Sequence, residues 1–177
     1  MKKIIAIGGS NSPSSINRTF AGYTANLLPN VDVEVFDLSS CTLPLYHPSL
    51  EAESGIPEAA KAFDLLISSA DGIVLSMAEH NGLHTAAFKN LWDWASRIDQ
   101  KLWKNKPMLM MAASPGGRGG ANVLGVTRTL IPHYGGNVIA EFSLPSFHDN
   151  FQDGRLVNEE LSSALNTQLD LFQESIK

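Results

Sequence analysis

Short apolar runs alternate with amphipathic stretches along the chain. Residues 3–7 (Lys-Ile-Ile-Ala-Ile), 72–77 (Gly-Ile-Val-Leu-Ser-Met) and 107–113 (Pro-Met-Leu-Met-Met-Ala-Ala) are near-continuous apolar runs. Runs of this length without alternation predict strands buried on both faces. Residues 31–36 set Val31, Val33 and Val35 against Asp32 and Glu34, which predicts a strand nearer a sheet edge. Another strand is predicted around 137–141, after Gly135-Gly136. Between the strands, the periodicity predicts helices over 17–28 (stopped by Pro29), 57–70 (with proline in its first turn), 83–98, 120–133 and 156–176. The stretch 37–55, with Pro44 and Pro48, reads as a loop. Trp92 and Trp94 lie in the helix over 83–98 and cannot both face one core stripe, which leaves one of them for an interface. Lys89 and Asp93 are placed as an i,i+4 ion pair on the same helix.

Strand and helix thus alternate about five times. This predicts an α/β fold, a parallel sheet covered by helices on both faces. No repeat, low-complexity tract or linker divides the 177 residues, so a single domain spanning 1–177 is expected. In open sheets of this type, ligands bind at the carboxyl ends of the strands. Three loops leave predicted strand ends there with unusual chemistry: 9–17, 78–84 and 114–120.

Composition narrows the partners. The net charge is −5, with no basic cluster, which argues against a nucleic-acid partner or an anionic membrane surface. The one cysteine, Cys41, excludes an internal disulfide and any multi-cysteine metal site. The first apolar run ends at Gly8, too short for a signal-peptide core, and no segment approaches a membrane span. A cytoplasmic protein is expected.

The first loop runs Gly8-Gly9-Ser10-Asn-Ser12-Pro-Ser14-Ser15-Ile-Asn17 into a helix. Free N–H groups and the positive end of the helix dipole suit an anion there, and the hydroxyls add neutral donors. The simpler reading is a serine- and asparagine-capped helix. The loop is neither a dinucleotide fingerprint nor a P-loop, for Gly8 and Gly9 are adjacent and no Gly-Lys-Ser/Thr closes it. The second loop carries Glu79, His80, Asn81, Gly82 and His84. It lacks the His-Glu-x-x-His spacing, so no metal is expected. The third loop has four glycines in the five positions 116–120, either a mobile loop or a close approach to a flat ligand. No Gly-x-Ser-x-Gly elbow supports a serine hydrolase.

Together the three loops resemble the NAD(P)H-dependent FMN reductase family, which includes azoreductase-like and chromate/quinone reductase-like members. The family's Gly-Ser-x-Arg-x-x-Ser-x-Asn is matched by Gly9-Ser10-Asn-Ser12-Pro-Ser-Ser15-Ile-Asn17, with Ser12 in place of the arginine. Its Pro-Glu-Tyr-Asn-Gly corresponds to Ala78-Glu79-His80-Asn81-Gly82, and its Leu-Lys-Asn-x-x-Asp-Trp to Phe88-Lys89-Asn90-Leu-Trp-Asp93-Trp94. Its Ser-x-Gly-Gly-x-Gly-Gly corresponds to Ser114-Pro-Gly116-Gly117-Arg-Gly119-Gly120, and Leu43-Pro44-Leu45-Tyr46 also resembles family members.

The resemblance implies a flavodoxin-like three-layer sandwich with strand order 2-1-3-4-5, binding FMN as a homodimer or homotetramer. It implies that Ser10, Ser12, Ser15 and Asn17 hold the FMN phosphate. Ala78, Glu79, His80, Asn81 and Gly82 would line the ribityl chain and the ring on one side, and Ser114, Gly116 and Gly117 on the other. The implied activity is an oxidoreductase passing electrons from NAD(P)H through FMN to a small acceptor in a ping-pong cycle. The acceptor would be a quinone, an azo compound, a metal oxyanion or free flavin. The flavin would carry the chemistry without a catalytic acid–base pair, with His80 and Arg118 as contributors. Without its arginine the phosphate loop lacks one charge-assisted contact. Two alternatives remain open: a flavodoxin-like electron carrier without reductase activity, and a flavin-free binding module.

Overall fold

The structure is a computed structural model that describes all 177 residues. In chain order, the first third comprises β1 (Lys2–Gly8), α1 (Ile16–Asn26), β2 (Val31–Phe36), α2 (Pro48–Ser54) and α3 (Glu58–Ser69). The middle comprises β3 (Gly72–Met77), β4 (Glu79–His80), β5 (Leu83–His84), α4 (Ala86–Ala95), β6 (Pro107–Ala113) and α5 (Ala121–Leu130). The last third comprises β7 (Asn137–Leu144), α6 (Phe147–Asn150), β8 (Phe151–Gln152), β9 (Arg155–Leu156) and α7 (Glu159–Ser175). Five strands form one parallel sheet in the order β2-β1-β3-β6-β7, which is the expected 2-1-3-4-5 among the sheet strands.

The continuous apolar runs are the three central strands, buried on both faces. Their residues alternate between two cores. Ile5, Ile7, Ile73, Leu75, Met108 and Met110 pack with α3, α4 and α5. Ile4, Ala6, Val74, Leu109 and Met111 pack with α1 and α7. The valine alternation of β2 does mark an edge strand.

Several elements differ from expectation. The stretch 37–55 contains a 3-10 turn at Leu38–Ser40 and the helix α2, begun by Pro48 and capped by the His47 ring, which accepts from Leu50 N–H. The helix expected from 83 starts only at Ala86, because Asn81 and Gly82 both take positive φ (53° and 82°) and close the β4–β5 hairpin. Asn-Gly is the pair such a two-residue turn favours. The last helix begins at Glu159, behind a second hairpin over 151–156. No tryptophan of α4 is left for an interface: Trp92 and Trp94 are both buried. The Trp94 indole lies under the segment after β2, donating to Pro44 C=O (2.8 Å) and meeting Tyr46 edge-on. Asn90 donates to the same carbonyl (3.0 Å) and accepts from Tyr46 N–H (2.9 Å). The two motif stretches Leu43–Tyr46 and Lys89–Trp94 are therefore one contact, a strap pinned across α4. The expected Lys89–Asp93 pair forms, at 2.5 Å.

Candidate functional site

All three predicted loops leave carboxyl ends of adjacent central strands: 9–15 follows β1, 78–84 follows β3 and 114–120 follows β6. Two buried side chains bind them together. Asn17, in the first turn of α1, is 2% exposed. Its Oδ1 accepts from Ser76 Oγ–H (2.7 Å) and Ala113 N–H (2.9 Å), while its Nδ2 donates to Ala113 C=O (3.0 Å). Asn17 thus joins the first loop to the ends of β3 and β6. Thr85 caps α4 and donates to Gly9 C=O (2.8 Å), tying the second loop to the first. Ser76 and Thr85 were not singled out in the sequence. The only signal for them was a hydroxyl within or just after an apolar strand.

In the first loop, Ser15 caps α1 by accepting from Arg18 N–H (3.1 Å), and Ser10 Oγ accepts from Ser12 N–H (3.2 Å). Ser12 and Ser14 share a hydroxyl–hydroxyl bond (3.2 Å). The N–H groups of Ser10, Ser14, Ile16 and Asn17 have no partner within the protein. All four residues line a 220 Å³ cavity, together with Ser12, Ser15, Ala78, Glu79, His80, Ala113 and Pro115. Free amides at a helix N-terminus, in a polar cavity, suit an anion.

The hairpin β4–β5 is fixed to α5 at two points. The Glu79 carboxylate accepts from Val123 N–H (2.9 Å), capping a helix whose own N-cap, Gly120, has no side chain. Thr127 Oγ donates its one hydrogen to Val123 C=O (2.6 Å), so at its 2.8 Å contact with His84 Nε2 it accepts. His84 therefore carries its proton on Nε2. Burial, aided by the Lys89 charge, pushes its pKa down. At the hairpin tip, His80 and Asn81 are exposed.

In the third loop, Ser114 Oγ donates to Gly116 C=O (3.0 Å), and Arg118 donates to Asn122 Oδ1 (2.7 Å). A Cβ added at Gly116 or Gly117 would meet nothing within 4 Å. Neither residue takes a left-handed conformation. The fold itself does not require glycine at these positions, and open space lies beside them. No group of three or more His, Cys, Asp or Glu is placed to hold a metal. No helix is long and apolar enough to cross a membrane.

Comparison with known proteins shows the family to which the chain belongs. Residues 2–149 match the family model for NADPH-dependent FMN reductase. The chain belongs to this family. A curated relative, 2-hydroxy-1,4-benzoquinone reductase from a Burkholderia species, is 30% identical over 96% of this chain and 93% of its own length. An NADPH azoreductase from a Bacillus species is also 30% identical, over 87% of this chain and 82% of its own. Among solved structures, the flavoenzyme NAD(P)H:(acceptor) oxidoreductase FerB from Paracoccus denitrificans superposes with a TM-score of 0.82. It is 23% identical and covers 99% of this chain and 97% of its own, a likeness of fold. As a member of the FMN reductase family, the protein is an NAD(P)H-dependent oxidoreductase whose family cofactor is FMN.

Proposed function

We propose that the cavity at the carboxyl edge of the sheet takes the FMN phosphate and that the hairpin and the glycine loop flank the flavin ring. The observation that carries this is the set of four unpartnered N–H groups lining one polar cavity, beside a loop with open space at Gly116 and Gly117. Within this arrangement the phosphate is held by Ser10, Ser12 and Ser15 and by backbone N–H groups. Asn17 contributes its N–H while its amide side chain braces the loop. Ala78, Glu79, His80, Asn81 and Gly82 line one side of the flavin, and Ser114, Gly116 and Gly117 the other. Once bound, FMN supplies the electron relay between NAD(P)H and a small acceptor, in a ping-pong cycle. The chain's own part is to bind, orient and polarise. N–H groups of the third loop would stabilise the negative charge that a reduced flavin carries. Arg118, in the third loop before α5, draws the phosphates of the nicotinamide donor.

The acceptor class that the relatives' names support is a quinone or an azo compound. Metal oxyanions and free flavin are further acceptors within the proposal. A homodimer or homotetramer and a cytoplasmic location complete it. The test is anaerobic titration of the FMN-loaded protein with NADH and then NADPH, followed by a benzoquinone. Bleaching by the nicotinamide and recovery with the quinone is the expected result. A flavin that binds but is not bleached supports the electron-carrier alternative, and a protein without FMN affinity supports the binding module.

A further inference from the structure

Arg18 stands close to the phosphate loop, but on its far side. The absence of a Cβ at Gly8 lets the start of α1 sit directly against the end of β1, since an added Cβ would collide with the Arg18 backbone. From there the guanidinium reaches two ways. One nitrogen pairs with Asp37, at the end of β2, and the other donates to Pro13 C=O (2.6 Å). Asp37 is itself held by Ser39, which donates to it from its N–H (3.0 Å) and its hydroxyl (2.7 Å). Arg18 does not line the cavity.

The bond to Pro13 has a geometric consequence. Ser12 C=O accepts from Ser15 N–H (3.1 Å), closing a turn with Pro13 at its second position. In a trans peptide the C=O and the following N–H point in opposite directions. Pulling Pro13 C=O outward onto Arg18 therefore turns Ser14 N–H inward. Ser14 N–H has no partner in the protein, and Ser14 lines the cavity.

We infer that Arg18, steered by Asp37, is a positioning residue of the phosphate loop. It acts by orienting the Pro13–Ser14 peptide and not by touching the phosphate. This inference rests on the FMN reading above. A lysine cannot replace Arg18, because a single ammonium lacks the planar fork that spans a carboxylate and a carbonyl together.

The test is to titrate the wild type, Arg18→Ala, Arg18→Lys and Asp37→Asn with FMN and with riboflavin, which lacks the phosphate, following flavin fluorescence. Thermal unfolding is recorded for each. Losing an oriented amide on a dianion is expected to weaken FMN binding about tenfold in Arg18→Ala. Riboflavin affinity changes less than about twofold, since both ligands share every contact except the phosphate. Arg18→Lys restores little, and Asp37→Asn, a change at a half-exposed residue, weakens FMN in the same direction. Tighter FMN binding in Asp37→Asn overturns the inference, because Asp37 would then be withholding Arg18 from direct contact. Equal losses for FMN and riboflavin also overturn it, as would full rescue by lysine. A wild type that binds neither flavin overturns the FMN reading itself, and the role of Arg18 with it.

Discussion

Two pairs of glycines in one loop answer to different demands. At Gly119 and Gly120 the backbone is left-handed (φ 58° and 75°) and the surroundings are full. A Cβ at Gly119 would run into Ser143 Oγ and the backbone at Leu144 and Pro145, and one at Gly120 would lie 2.8 Å from Ala112 Cβ. At Gly116 and Gly117, only a few residues earlier, a Cβ would meet nothing within 4 Å. The second pair is needed to fold the loop onto β6 and β7. The first pair leaves space that the fold does not use. The same division runs through the site. Asn17, Ser76 and Thr85 are buried and join the loops, whereas His80, Asn81 and Gly116 form an exposed rim at the same edge.

Gly119→Ala puts the comparison under the greatest strain. It combines a disfavoured backbone with overpacking, and together these are expected to cost about 3 kcal/mol of stability. Gly117→Ala is expected to change stability by less than about 0.5 kcal/mol, while weakening FMN binding about tenfold if the ring lies against that backbone. Denaturant unfolding and flavin titration of both variants check this. Equal destabilisation by the two substitutions would break the distinction.

Asn17→Ala should come next in size. It leaves Ser76 Oγ–H and both backbone groups of Ala113 without their partner, an expected loss of about 2–3 kcal/mol. The rim counterpart, His80→Tyr, should leave the unfolding midpoint within about 0.5 kcal/mol of wild type. If His80→Tyr destabilises as much as Asn17→Ala, the rim is not free of structural work.

Glu79 stands between the two classes, since it lines the cavity and also caps α5. Glu79→Gln retains the shape but removes the charge from a helix N-terminus, for an expected loss of about 1 kcal/mol. Urea unfolding measures it, and an unchanged midpoint would mean that the carboxylate charge adds nothing to the cap.

How much of this was legible in the sequence follows the same division. The parallel sheet was readable because Ile4–Ile7, Ile73–Leu75 and Met108–Met111 are apolar at every position, as strands covered on both faces are; its strand order came only from the family resemblance. The three loops were readable because their residue types are unusual next to such strands. What could not be read was what each polar residue spends its bonds on. Asn17 was grouped with the serines at the phosphate, and no sequence signal tells that its amide also bonds both backbone groups of Ala113, 96 positions along the chain. The helix over 83–98 was begun three residues early, because its apolar positions carry no mark of the hairpin that the Asn-Gly turn closes before it. One of Trp92 and Trp94 looked surplus to the core because the cover over Trp94, the strap at Pro44 and Tyr46, carries no periodic signal.

The smallest expected effect concerns His84, which holds the hairpin to α5 through Thr127. Burial and the neighbouring Lys89 push its pKa below the ordinary histidine value. The unfolded chain therefore binds a proton at a higher pH than the folded protein does. By linkage, the contribution of His84 is fully present above about pH 6.5 and is lost progressively as the pH falls below it. His84→Gln keeps an N–H that can reach Thr127 but does not titrate. The carboxylates held low, Asp37 and Asp99, lose their contributions only further into the acid range. Urea midpoints at about pH 7 and about pH 5.5 isolate the histidine. The wild type should lose more stability than His84→Gln between the two. An identical loss would show that the protonation of His84 is not linked to folding, and that its contact with Thr127 holds the hairpin equally well in either charge state.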